Sequence, residues 1–205
     1  MKLMYSPGAC SIGIHVLLEE IGKPYDTQLV NLREGAQFKP EYTAVNSKSK
    51  VPALQRDDGS VLTEYPAIAY WLARTNPDKK LLPDDVEAQT RVLEALDYCV
   101  STVHMQGFSR LFRASNYTPN PEDEDKVKER GKEMVEKGFA VLDKTLQNKD
   151  YLAGSFSIAD SALFYVEWWG AKRMNMKLPP NCEAHLNRMM ARPAVQRVLQ
   201  QEGVA

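Results

Sequence analysis

The sequence predicts a small α/β domain joined to an all-helical one. Three observations carry that reading. Short apolar runs alternate with amphipathic helical stripes as far as residue 77. A stretch rich in Pro, Asp and Lys follows from Thr75 to Asp85, with Pro77 and Pro83 inside it. Beyond it the strand signal is lost, and the apolar patterns have helical spacing. The domains are therefore expected at residues 1–77 and 87–205, with a linker over 78–86. A chain of 205 residues is long enough to bury such cores without disulfide or metal staples.

Lys2 to Tyr5 is a short apolar strand that breaks at Ser6-Pro7-Gly8. Ser11 to Ile21 sets Ile14, Leu17, Leu18 and Ile21 on one helical face, and Gly22 ends that helix. Asp26 to Leu32 reads as a second strand, and Lys39 to Val45 as a short helix. Val51 to Gln55 is a strand entered at a proline. The turn Asp57-Asp58-Gly59-Ser60 makes it a hairpin with Val61 to Thr63. Pro66 suits the first turn of a helix running to about Arg74. The order is β-α-β-α-β-β-α.

In the second domain Val92, Leu96, Cys99 and Val103 begin a helical stripe that extends to Leu111 and Phe112. Asn120-Pro121-Glu122-Asp123 combines a capping residue, a proline at the first helical position and acids facing the positive dipole end. The helix it heads buries Val127, Val135, Phe139 and Leu142. Ser157-Ile158-Ala159-Asp160 is a capping box with Asp in place of the usual Glu or Gln. Pro179-Pro180 then breaks the chain, and two short helices follow, split near Pro193.

Charge and cysteine usage exclude whole classes of function. Lys and Arg number 26 against 27 Asp and Glu, with no basic run, so neither a nucleic-acid partner nor a polybasic membrane contact is expected. No segment approaches the roughly 18 apolar residues of a membrane span, and the first apolar stretch is too short for a signal peptide. The three cysteines form no CxxC pair and no cluster with zinc-ligand spacing, so no metal site is expected. A reducing cytoplasm is the simplest home.

Cys10 stands where the first strand hands over to the first helix. A helix N-terminus favours negative charge, so a thiol there can shift toward the thiolate or face another one. Gly13 occupies the place of a resolving cysteine, which excludes a dithiol cycle within this motif. Ser11 either donates to a bound thiolate or serves as a helix N-cap. A cis bond at Val51-Pro52 would open the neighbouring backbone to an extended peptide ligand. Glu64 sits at the mouth of the Pro66 helix, as a dipole partner or as an acceptor for a ligand ammonium. His104 is a helical residue that either packs or faces a site; His15 and His185 read as surface or packing residues. Phe108, Phe112, Tyr117 and Trp168 either line an apolar cleft or fill the helical core.

Taken in order and spacing, five pieces resemble the bacterial beta class of the glutathione S-transferase family across nearly the whole chain. They are Tyr5 to Ser11; Val45-Asn46 with Lys50-Val51-Pro52-Ala53-Leu54; Leu62-Thr63-Glu64 with Pro66-Ala67-Ile68; Ser101 to His104 with Phe108 to Phe112; and Ser157 to Asp160. The resemblance implies a thioredoxin-like N-terminal domain, an all-helical C-terminal domain and a homodimer. It implies that Cys10 contacts the glutathione sulfur or forms a mixed disulfide with it. Val51, before a cis Pro52, would pair through its backbone with the cysteinyl part. Glu64 and the backbone of Tyr65 would hold the γ-glutamyl end, and Lys50 would reach the glycyl carboxylate. Ser101 and His104 would lie near the glutathione sulfur, with Asp97 close by. Tyr65 departs from the usual Ser or Gly, and Met105 from a frequent Lys.

The implied activity is conjugation of glutathione thiolate to a hydrophobic electrophile, with Cys10, Ser11 and His104 at the sulfur. Two alternatives stand beside it: glutathione-dependent disulfide exchange through Cys10, and a non-enzymatic scaffold that binds glutathione or a hydrophobe.

Overall fold

A computed structural model describes all 205 residues. The chain forms two compact units, one of Met1–Pro83 with Arg188–Ala205 and one of Asp84–Asn187. The segment from Arg188 onward thus groups with the α/β part, although its helical pattern continues the second domain.

The first unit is built on strands β1 (Lys2–Tyr5), β2 (Asp26–Leu29), β3 (Ala53–Gln55) and β4 (Val61–Thr63) in the order β2-β1-β3-β4. β1 pairs parallel with β2, Lys2 opposite Asp26, and antiparallel with β3, Leu3 opposite Leu54. β3 and β4 form the expected hairpin, Leu54 opposite Leu62. Helices α1 (Ser11–Ile21), α2 (Pro40–Thr43), α3 (Tyr65–Thr75) and a later helix, Pro193–Gln201, complete the unit. Leu3 and Met4 point to opposite faces of the central strand, and both are buried. Met4 joins Val30, Tyr42, Val51 and Ala53 in one core cluster. The later helix packs on α1, where Arg192 and Arg197 bind Glu20 and Glu19 at 2.7 and 2.6 Å.

Two strands are shorter than their apolar runs. β2 stops at Leu29, and all four of its residues are exposed, as befits an edge. Asn31 then draws the chain into a 3₁₀ turn by accepting from the Arg33 amide. β3 starts only at Ala53, and the Val51–Pro52 bond that precedes it is cis. The short helix contracts to α2.

The second unit is all-helical. It comprises α4 (Val86–Asp97), α5 (Ser109–Phe112), α6 (Glu124–Thr145), α7 (Ile158–Trp168) and most of α8 (Pro180–Met190). The Pro193–Gln201 helix is then α9. Asp85 caps α4 by accepting from the Ala88 amide at 2.8 Å. The stripe that predicts one regular helix is interrupted: Tyr98–Phe108 between α4 and α5 is π-helical. A second π turn, Trp169–Arg173, closes α7. Asn120 gives its amide to the Asp123 carboxylate, and not to a backbone cap, so Pro121–Asp123 is a 3₁₀ lead-in to α6. α6 then lies close along the π segment. A Cβ at Gly131 would stand 2.9 Å from the Gly107 carbonyl, and one at Gly138 would stand 2.7 Å from Val103 Cγ2.

Candidate active site

β1 feeds a tight loop, Ser6 to Cys10, that leads into α1. Gly8 takes a left-handed backbone at φ 62°, and the Ala9 amide returns to the Ser6 carbonyl at 2.9 Å. Ser11 is fully buried. Its hydroxyl donates to the Ser6 carbonyl at 3.3 Å and accepts from the Ser6 amide at 3.2 Å. The N-cap reading of Ser11 is thereby corrected. Cys10, not Ser11, holds the N-cap position, no side chain caps α1, and the Ser11 donor is committed to the loop.

The half-buried Cys10 thiol donates to the Val51 carbonyl at 3.4 Å. The approach to Val51 is anchored from behind, where the Lys50 carbonyl accepts from Tyr42 Oη at 2.5 Å and Asn46 Nδ2 at 2.8 Å. The Lys50 side chain is exposed. Cys10, Val51 and Pro52 therefore form one corner of the unit. A second corner lies at the mouth of α3. There Glu64 has a left-handed φ of 68°, a conformation that L side chains rarely adopt and that concentrates at ligand clamps. Its carboxylate is held outward by Lys48, whose Nζ lies 2.9 Å from Glu64 Oε1 and 2.9 Å from Thr63 Oγ1. Tyr65 begins α3 with its side chain buried, so the helix mouth exposes no tyrosine ring. Nothing local in the sequence announces that Lys48 faces Glu64.

Behind the Cys10 loop stands a buried support. The Gly8 amide donates to Glu202 Oε2 at 2.7 Å, and Glu202 Oε1 binds His15 Nδ1 at 2.9 Å. His15 and Glu202 are buried, and the His15 ring sits 5.5 Å from the Tyr5 ring and 5.7 Å from the Tyr25 ring. Far from being a plain packing residue, His15 ties α1 to Glu202.

Asp97, Ser101 and His104 belong to the second unit. Ser101 donates to the Asp97 carbonyl at 2.8 Å, and both residues line a cavity of about 530 Å³ with Arg91, Tyr98, Thr145 and Lys149. Ser101 and His104 lie on the π-helical segment, a form often found at functional sites. His104 Nδ1 meets Tyr165 Oη at 3.2 Å, and its ring stands edge-on to Trp169 at 4.7 Å. Of the four candidate cleft residues, Phe108 and Trp168 are core. Phe112 and Tyr117 remain exposed, at 40 % and 38 %. Arg110 lies over the Tyr117 ring at 4.3 Å, and Tyr117 donates to the Met105 carbonyl.

The capping box carries a network of its own. Asp160 accepts from the amides of Leu152 and Ser157, both at 2.8 Å, and from the Ser157 hydroxyl. His185 joins it to Glu167, with Nδ1 2.7 Å from Glu167 and Nε2 3.3 Å from Asp160. All three side chains are fully buried. Burial pushes the Glu167 carboxyl up to about 7, against the pull of His185. Burial alone would lower His185, but the two carboxylates raise it to about 9. Burial also raises the Cys99 and Cys182 thiols, and Glu167 reinforces both shifts. No group of three or more His, Cys, Asp or Glu side chains is arranged to hold a metal ion, and no helix is long and apolar enough to cross a membrane.

Comparison with known proteins matches residues 8–75 to the glutathione S-transferase N-terminal domain family and residues 99–193 to the glutathione S-transferase C-terminal domain family. Glutathione S-transferase GstA of Escherichia coli O157:H7 is 36 % identical over 208 residues, covering all of both chains. A beta-class glutathione S-transferase from Sphingomonas chungbukensis superposes with a TM-score of 0.87 at 35 % identity, again over all of both chains. A sphingomonad glutathione S-transferase solved in complex with glutathione does so with a TM-score of 0.87 at 34 % identity and the same coverage.

Proposed function

We propose that this chain, which belongs to the glutathione S-transferase family, joins the sulfur of reduced glutathione to apolar electrophiles. The observation that carries this reading lies within the first unit. A thiol at the head of a helix, a backbone corner at Val51 and a carboxylate clamp at Glu64 offer one group for each part of a γ-glutamyl-cysteinyl peptide. Residues 1–77 hold glutathione, and residues 87–205 line the electrophile site.

In this reading the Val51 backbone pairs with the cysteinyl residue beside cis Pro52, Glu64 and the Tyr65 backbone take the γ-glutamyl end, and Lys50 takes the glycyl carboxylate. The positive end of α1 stabilises the glutathione thiolate beside Cys10. Ser11 contributes by fixing the loop that carries Cys10. His104, Ser101 and Asp97 supply polar groups from the helical unit. The glutathione thiol gives up its proton to solvent, the sulfur forms a bond to the electrophilic carbon, and the leaving group departs with its electron pair. Exposed Phe112 and Tyr117 favour an aromatic or otherwise apolar acceptor. A cytoplasmic homodimer with a detoxifying role completes the proposal.

The test is steady-state turnover of reduced glutathione with an activated aryl halide, run beside equilibrium binding of glutathione. Saturable turnover above the uncatalysed rate supports conjugation. Tight binding with no rate enhancement across several electrophiles would instead point to a scaffold. Loss of disulfide reduction alone in Cys10→Ala would give Cys10 an exchange role separate from conjugation.

A further inference from the structure

The Glu64 carboxylate already holds a cation: Lys48 Nζ bridges Glu64 Oε1 and Thr63 Oγ1, each at 2.9 Å. Both charged side chains are about half exposed, at 50 % and 55 %, so the pair is open to exchange and adds little to stability. A contact of that kind is weak evidence of structure, yet it sits on a residue whose backbone is held at φ 68°. That strain aims one carboxylate at the mouth of α3, and Lys48 is the group that meets it.

We propose that Lys48 is a glutathione-binding residue that discriminates the α-amino-acid end of the γ-glutamyl group; this rests on Glu64 receiving the glutathione ammonium. The γ-glutamyl end is a zwitterion, with an ammonium and a carboxylate on one carbon. Glu64 alone would attract the ammonium and repel the adjacent carboxylate. Lys48 removes that conflict. In the free protein it neutralises Glu64. On binding, the ligand ammonium takes its place at Glu64, and Lys48 turns to the ligand α-carboxylate. One ion pair becomes two, and no charge is left without a partner. A ligand with the ammonium but no α-carboxylate would displace Lys48 and leave it unpaired, so such a ligand is selected against.

The experiment measures calorimetric binding of two probes. One is glutathione, and the other is 4-aminobutyryl-cysteinyl-glycine, which keeps the ammonium and lacks the α-carboxylate. Lys48→Met weakens glutathione roughly tenfold, while the analogue binds at least as tightly as to the wild type. Lys48→Arg keeps most of the preference for glutathione. Equal weakening of both probes by Lys48→Met, or no change in either, overturns the assignment. Wild-type protein that binds no glutathione would defeat the proposed function itself, whereas tight wild-type binding with an unaltered Lys48→Met profile removes only Lys48.

Discussion

Glu202 accepts the Gly8 amide on one carboxylate oxygen, at 2.7 Å, and binds His15 Nδ1 with the other at 2.9 Å. One buried carboxylate therefore fixes both the loop before Cys10 and the helix after it. Glu202→Ala removes the buried carboxylate that both contacts share. The expected loss is about 3 kcal/mol of stability, with weaker glutathione binding. Denaturant midpoints and glutathione KM read the two effects separately. An unchanged midpoint would show that the carboxylate holds nothing in place.

Ser11→Ala removes the hydroxyl that serves both the amide and the carbonyl of buried Ser6. A stability loss of about 1–2 kcal/mol follows. The pH dependence of conjugation stays where it was, because Ser11 acts on the loop and not on the thiolate. A shift of the pH–rate profile would return Ser11 to the sulfur.

The three cysteines differ sharply in access. Cys99 and Cys182 are fully buried with thiols pushed up by burial, while Cys10 is half-exposed. Oxidised glutathione, or an alkylating reagent, is expected to modify Cys10 alone in the native protein. Peptide mass mapping before and after denaturation checks this. Equal labelling of all three in the folded protein contradicts it.

His185 is raised from 6.5 to about 9 between Glu167 and Asp160, and burial raises Glu167 from 4.5 to about 7. The folded chain therefore binds more protons than the unfolded one across both intervals. The His185 contribution is complete below pH 6.5 and fades as pH climbs to 9, and that of Glu167 fades between 4.5 and 7. Stability is thus expected to fall as pH rises through this range. The fall is shallower in a Glu167→Gln, His185→Gln double variant, which lacks both groups. Urea midpoints collected from pH 5 to pH 9 provide the comparison, and parallel curves would refute it.

Gly131→Ala is expected to cost about 2 kcal/mol. Its Cβ would fall 2.9 Å from the Gly107 carbonyl, a backbone atom that no rotamer change can move. Gly138→Ala meets a Val103 methyl instead, so Val103→Ala should relieve it. Thermal unfolding of the single and double variants tests both statements.

What the sequence made legible followed local chemistry. The β-α-β-α-β-β-α order, the Gly22 stop and the Ser157–Asp160 box all arise from residues close in the chain. Groups whose partners lie far away stayed hidden. His15 and Glu202 are 187 residues apart, and nothing near His15 announces a carboxylate. Lys48 and Glu64 are 16 apart, and Lys48 lies outside the β3–β4 ladder, so no strand pairing announces their contact. His185 reads as an ordinary helical residue until Glu167 and Asp160 are seen to enclose it. The π-helical segment was hidden for another reason. Its apolar spacing at Val92, Leu96, Cys99 and Val103 is what an ordinary helix would show.

The unit that carries Cys10 is discontinuous along the chain, since Arg188–Ala205 joins it only after the whole helical unit has been threaded between. During synthesis the ribosome releases the Cys10 loop long before Glu202 exists. The nascent α/β segment must therefore wait, without the Glu202 carboxylate, while more than half the polypeptide is made. Closing that long loop makes the final docking of α9 a late event. The Cys10 loop is then among the last parts of the molecule to gain its full set of partners.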